Sequence, residues 1–141
     1  GDRIESVKQL AQVLKLKHRV HFLGRRDDVP RIMKTADVLV QSSHWEGFGL
    51  TVVEGVASGL PVLASDVPGL NEVISDKDSL FSPGNFRELA DKLLSLKDFR
   101  FKLSEETFSR EILGKFALNS VTDKYVEVYK AVLASYSALY R

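Results

Sequence analysis

Cysteine is absent from the 141 residues. That excludes a disulfide scaffold and a cysteine-ligated zinc site, and it allows a reducing, intracellular setting. No uninterrupted apolar run approaches the roughly 18 residues of a membrane span, and no signal-peptide pattern opens the chain. The first residue is Gly1 rather than methionine, as in a processed product or an excised piece. The net charge is only +1, from 20 Lys and Arg against 19 Asp and Glu. This argues against nucleic acid as a partner, because a general nucleic-acid binder carries a large basic excess. No repeat, low-complexity tract or Pro/Gly/Ser-rich linker divides the chain.

What is present suits one soluble globular domain, with 44% hydrophobic and 28% charged residues, a composition too apolar for disorder. The charges are unevenly spread. Residues 1–35 hold nine basic and four acidic side chains, 36–90 two and eight, and 91–141 nine and seven, so the three sums are +5, −6 and +2. An anionic ligand bound in the acidic middle third needs amide dipoles, or cations from elsewhere.

Helical and strand patterns alternate. Ile4, Val7, Leu10, Ala11 and Leu14 form a helical stripe over 4–15, and Val20-His-Phe-Leu23 reads as a short strand ending at Gly24. A short helix opens at Val29-Pro30, since proline is tolerated in a first turn, and runs to Ala36. Strands are expected at 37–41 and 60–64, with a weak fourth at 79–81. Helices are expected at about 49–58, stopped by Gly59, one turn at 70–74, and then 85–96, 98–113 and 118–139. This order predicts an α/β fold, a Rossmann-like parallel sheet flanked by helices. Ligands on such sheets sit at the carboxyl ends of the strands, so the loops after Leu23, Gln41 and Ala64 are the ones to examine.

The loop after the second strand reads Ser42-Ser-His-Trp-Glu-Gly-Phe-Gly49 and runs straight into a helix. Glycines let backbone approach a ligand closely, and the free amides of a helix N-terminus point at it. Phosphate is the natural guest. Glu46 and Glu54 bracket this site with seven residues between them. Such a pair could grip hydroxyls at two ends of an extended ligand, because a carboxylate is a strong acceptor for sugar hydroxyls. A solvated helix glutamate is the competing reading of Glu54.

The run Glu46-Gly-Phe-Gly-Leu-Thr-Val-Val-Glu54 resembles the E-x7-E motif of the retaining, GT-B-fold glycosyltransferases of family four. Val20–Gly24, Asp28-Val-Pro30, Ala36–Val40, Ala57–Asp66 and Val67–Ile74 also read like that family's donor-binding half, so the resemblance covers about residues 1–135. It implies a hexosyltransferase that moves a sugar from a UDP- or GDP-sugar to a glycan or lipid-linked acceptor, as in polysaccharide biosynthesis, with retention at the anomeric carbon. It implies that Glu46 meets the transferred sugar as the catalytic-site carboxylate. The amides around Phe48, Gly49 and Leu50 would hold sugar and diphosphate, Glu54 the ribose, and Gly24, Arg25 and Arg26 would lie by the nucleobase. His44 is either a donor-sugar contact or a loop histidine bonded to backbone. No metal or other cofactor is expected, because cations and helix dipoles stabilise the leaving diphosphate.

The same resemblance implies that residues 1–141 are a partial nucleotide-sugar-binding domain. The acceptor half, the first two strands of the donor half and their Arg and Lys are absent from it, and the fragment alone is expected to be inactive. Gly1-Asp-Arg3 resembles the loop after the second of those strands. The strands that remain would then lack central neighbours and expose edges open to self-association. The expected location is the cytoplasm, with peripheral attachment to the inner face of a membrane as the alternative.

Other readings stay open. The chain could be a non-catalytic nucleotide-sugar-binding module or subunit, or half of a nucleotide-sugar epimerase, because fold does not imply function. Trp45 either stacks on a sugar or base or packs under its loop. Ser42, Ser43 and Ser65 lie in no Gly-x-Ser-x-Gly elbow. Arg25 and Arg26 beside Asp27 and Asp28 could equally form a solvated turn with local ion pairs. Asp66 and Glu72 face the cleft if the fold is right. The amphipathic helix over 118–140 carries Val121, Tyr125, Val128, Tyr129, Val132, Tyr136 and Tyr140 on one stripe. That stripe packs on the domain, packs on the absent half, or meets a membrane or partner.

Overall fold

The structure is a computed structural model that describes residues 3–98 and 105–139. The helices are α1 (Ile4–Val13), α2 (Val29–Met33), α3 (Leu50–Ala57), α4 (Phe86–Asp98), α5 (Glu105–Phe116) and α6 (Leu118–Leu139). The strands are β1 (Leu39–Gln41), β2 (Val62–Ser65) and β3 (Leu80–Phe81), the last preceded by a 3-10 turn at Lys77–Ser79.

All three strands are parallel, in the order β1-β2-β3. Leu39, Val40 and Gln41 pair with Val62, Leu63 and Ala64, while Ala64 and Ser65 pair with Leu80 and Phe81. Parallel neighbours need a crossover rather than a hairpin, and α3 supplies it between β1 and β2. The central strand is buried at every position, as its apolar Val-Leu-Ala run requires. Val52, Gly55 and Val56 turn one face of α3 inward, at the three- and four-residue steps of a helical stripe. Val52 and Val56 join Val62, Ala64, Val67, Leu70, Val73, Ile74 and Ile112 of α5 in a single core. The end of α3 is closed by Leu60 N–H on Gly55 O and Gly59 N–H on Val56 O, both 3.0 Å. This is the Schellman pattern that a glycine stop anticipates.

The segment 20–23 does not form the expected strand, and no described strand pairs with it. A strand exists only where a neighbour takes up its N–H and C=O groups. Here the Val20 N–H turns back to Leu16 O at 3.2 Å, and Val20, Phe22 and Leu23 are exposed. β1, β2 and β3 pair without a gap, and 20–23 is the segment left without a neighbour. The weak strand at 79–81 does form, as β3. The turn at 70–74 begins earlier, with Leu70 and Asn71 N–H on Val67 O and Ile74 N–H on Leu70 O. The helix expected over 98–113 is seen as Glu105–Phe116, and 99–104 lie outside the described residues, as do Gly1, Asp2, Tyr140 and Arg141.

Two amphipathic stripes face outward. On α1 only Ala11 is buried, while Ile4, Val7, Leu10 and Leu14 are exposed. On α6 Tyr125, Val128, Tyr129, Val132 and Tyr136 are exposed. Among the described residues no helix is long and apolar enough to cross a membrane. Parallel strands in register bring their carboxyl ends, Gln41, Ser65 and Phe81, to one edge of the sheet. The loops 42–49, 66–79 and 82–85 leave from that edge.

Candidate functional site

The site is built where β1 ends. Ser65, the last residue of β2, is 1% exposed, and its hydroxyl donates to Gln41 O at 3.3 Å and to Ser43 O. Those two bonds hold the loop to the sheet, so Ser65 is a tether rather than a nucleophile. The Gln41 amide Nε2 donates to Ser43 Oγ at 2.9 Å and to Glu46 Oε2 at 3.3 Å. The other carboxylate oxygen of Glu46 accepts the Gly47 N–H at 3.1 Å. Glu46 itself is half-buried.

Gly49 is the N-cap of α3, with φ +85° and ψ 45°. In this left-handed geometry a side chain is disfavoured, and no side chain caps the helix. The first turn, starting at Leu50, also contains no acidic residue. The Val52 and Val53 N–H groups donate to Gly49 O at 2.9 and 3.3 Å, so the helix N-terminus offers the Leu50 and Thr51 amides and its partial positive charge to an incoming group. Leu50 is exposed, and Glu54 is exposed one turn further along.

The loop after β2 supports this turn from below. A Cβ on Gly69, whose φ is +88°, would stand 2.5 Å from Glu46 O, 3.0 Å from Gly47 C and 3.1 Å from Glu46 C. Only hydrogen fits there. Leu70, fully buried, lies against Gly49 in the same way, 2.6 Å from where a Cβ would be. Asp66 is engaged by Asn71, whose Nδ2 donates to Oδ1 at 2.8 Å. Phe48 meets Phe116 at the end of α5 edge-on, with ring centroids 4.9 Å apart. Beside it Lys115 Nζ donates to Glu72 O at 2.8 Å, so the end of α5 grips both loops.

The residues expected from the sequence divide into two groups. Glu46, Phe48, Gly49 and Leu50 lie together at the start of α3, with Glu54 on the helix. His44 is exposed on the same loop, its Cε1 3.4 Å from where a Cβ on Gly84 would be. Trp45 is 79% exposed, so it does not pack under the loop. Gly24, Arg25 and Arg26 form a separate exposed turn whose bonds are local. Arg26 donates Nε to Asp28 Oδ1 and Nη2 to Asp28 Oδ2, both at 2.7 Å. This bidentate pair raises the guanidinium pKa and lowers that of the Asp28 carboxyl, and it commits Arg26 to the local partner. Gln41, Gly69, Leu70 and Phe116 were not among the expected site residues. Gln41 did carry a signal, as a polar side chain at the carboxyl end of an apolar strand. Phe116 carried none, because its contact with Phe48 joins residues 68 positions apart in the chain. Among the described residues no three His, Cys, Asp or Glu side chains converge as a metal site.

Comparison with known proteins bears on the family and the fold. The O-antigen biosynthesis glycosyltransferase WclY of Escherichia coli is 33% identical over 131 residues, which is 92% of this chain and 37% of that protein. A second relative is the N,N'-diacetylbacillosaminyl-diphospho-undecaprenol alpha-1,3-N-acetylgalactosaminyltransferase of Campylobacter jejuni. It is 30% identical over 81% of this chain and 31% of its own length. The crystal structure of Anabaena Alr3699/HepE in complex with UDP superposes with a TM-score of 0.82 at 26% identity, covering 92% of this chain and 37% of that one. The same protein is also known with UDP and glucose, and with UDP-glucose. The chain thus spans about a third of the length of the relatives it matches. The model of the family Glycosyl transferases group 1 matches residues 1–109, and the chain, with the GT-B architecture of its structural neighbours, belongs to that family.

Proposed function

We propose that the chain is the donor-binding part of a retaining glycosyltransferase, which transfers a hexose from a UDP- or GDP-sugar to a glycan or lipid-linked acceptor. The observation that carries this reading is the open start of α3. It is an uncapped helix N-terminus entered through left-handed Gly49, free of acid in its first turn, with Glu46 before it and Glu54 along it. A diphosphate satisfies the amides and the dipole. Glu46 takes hydroxyls of the transferred sugar, Glu54 the ribose, and the amides of Phe48, Gly49 and Leu50 the sugar and diphosphate. His44 stands beside the sugar, and the Gly24–Arg26 turn beside the nucleobase.

The chemistry is stabilisation of the charge that develops on the leaving diphosphate, by preorganised dipoles. It needs no metal and no protein nucleophile. The acceptor is held by parts of the protein beyond this domain, and the chain by itself is inactive. The Anabaena complexes with UDP and UDP-glucose support a nucleotide-sugar donor. The Campylobacter relative's name supports a lipid-linked acceptor. The reading places the protein in the cytoplasm, in polysaccharide biosynthesis, and gives its open strand edges and outward stripes to association with other chains.

Isothermal titration with UDP, GDP, UDP-glucose and GDP-mannose tests the reading. One nucleotide should bind saturably, and Glu54→Ala and Glu46→Ala should each weaken donor binding by about 1–3 kcal/mol, the worth of a charged hydrogen bond. Unchanged affinity in both folded variants would remove the site assignment.

A further inference from the structure

We infer that Gln41 is a positioning residue, whose amide holds the Glu46 carboxylate in the orientation that the transferred sugar meets. This rests on the donor-binding reading above. Gln41 closes β1, opposite Ala64, and its carbonyl is tied to the buried hydroxyl of Ser65 at 3.3 Å. Its backbone is thus fixed by the sheet, and its half-buried side chain reaches forward into the loop. Both N–H groups of the amide are used, one on Ser43 Oγ at 2.9 Å and one on Glu46 Oε2 at 3.3 Å. The Gly47 N–H takes Oε1 at 3.1 Å. Each carboxylate oxygen therefore has one protein donor and keeps lone pairs for ligand hydroxyls.

Residue chemistry favours glutamine at this position. An arginine would form a bidentate pair and occupy the carboxylate. A glutamate would repel it. A neutral amide orients Glu46 while leaving its charge for the ligand, and it orders the side chain before binding rather than during it. Because Glu46 meets only the sugar, losing Gln41 should weaken sugar recognition and leave nucleotide recognition intact. A role confined to folding would weaken both together.

The test uses the full chain with Gln41→Met, which keeps length and removes the donor, and Gln41→Glu. Affinities for UDP and UDP-glucose, and for GDP and GDP-mannose, are read by titration, with thermal unfolding alongside. Gln41→Met should lose about 5-fold in affinity for the nucleotide-sugar, with affinity for the bare nucleotide unchanged, and Gln41→Glu should lose more. In a Glu46→Ala background, Gln41→Met should cost nothing further, as coupling between the two residues requires. Equal losses for nucleotide and nucleotide-sugar, no loss for either, or additive losses in the double variant would each overturn the inference while leaving donor binding standing. A folded wild-type chain that binds none of the four ligands would overturn the donor-binding reading and this inference with it.

Discussion

At the scale of single residues, the site depends on two glycines that differ in what surrounds them. Gly49 and Gly69 both have left-handed backbone, with φ +85° and +88°. A methyl on Gly49 meets the terminal carbon of the buried Leu70 side chain at 2.6 Å, which yields more readily than backbone. A methyl on Gly69 meets the carbonyl of Glu46 at 2.5 Å, with the Gly47 and Glu46 backbone close behind, and backbone held on both sides cannot move off. Gly49→Ala should therefore cost about 1 kcal/mol, mainly for its dihedral angles, and Gly69→Ala about 3 kcal/mol. Urea unfolding gives both values, and equal values would contradict the packing described. Gly69→Ala should also weaken nucleotide-sugar binding, because the displaced atoms belong to Glu46. Trp45, the only tryptophan, is exposed on the same loop and offers a fluorescence signal for that binding.

Elements explain how the loops are anchored. Asn85 stands before α4, and its Oδ1 accepts the Glu88 N–H at 3.2 Å. The Glu88 carboxylate reaches back to the Ser82 N–H at 2.9 Å and to Asn85 Nδ2 at 3.1 Å. This is a variant of the capping box in which the acid serves the end of β3. The Ser82 N–H, as the largest influence, holds the Glu88 carboxyl below the usual carboxylate range. A lowered folded pKa means stability that is present above the unfolded value and is lost as pH falls through the folded one. Glu88→Gln should thus melt below the wild type at neutral pH, with the two curves converging in acid. A difference that persists unchanged to low pH would remove the charge from the explanation. The start of α4 was readable within two residues, because a cap is a local interaction. Segment 20–23 was misread as a strand, because strand pairing is not local.

At the scale of the molecule, apolar surface remains uncovered. The α1 stripe is open, and Tyr125 and Tyr129 of α6 are 61% and 63% exposed with ring centroids 6.4 Å apart. Contiguous apolar patches of this kind mark interaction surfaces. The chain should therefore self-associate as its concentration rises, and Tyr125→Glu with Tyr129→Glu should reduce this. Sedimentation velocity measures both, and a wild type that stays monomeric throughout would show that these faces do not drive association.

The sequence by itself determined the family, the α/β alternation, the apolar centre of the sheet and the place of Glu46 and Glu54. Each of these is written in local order: an apolar run bounded by glycine, a helical stripe, or a motif of fixed spacing. The tertiary structure decided which strands pair, that 20–23 is left without a neighbour, and that Arg26 turns to Asp28. It also decided that Gln41 turns to Glu46, that Gly69 lies under the Glu46 backbone, and that Phe116 meets Phe48. Strand pairing, the Gly69 approach and the Phe116 contact join segments distant in the chain, and their distances are set by the packing of β1, β2, α3 and α5 around one core. Even the short-range Gln41 bond depends on Ser65, a residue of the next strand, to hold the loop in place.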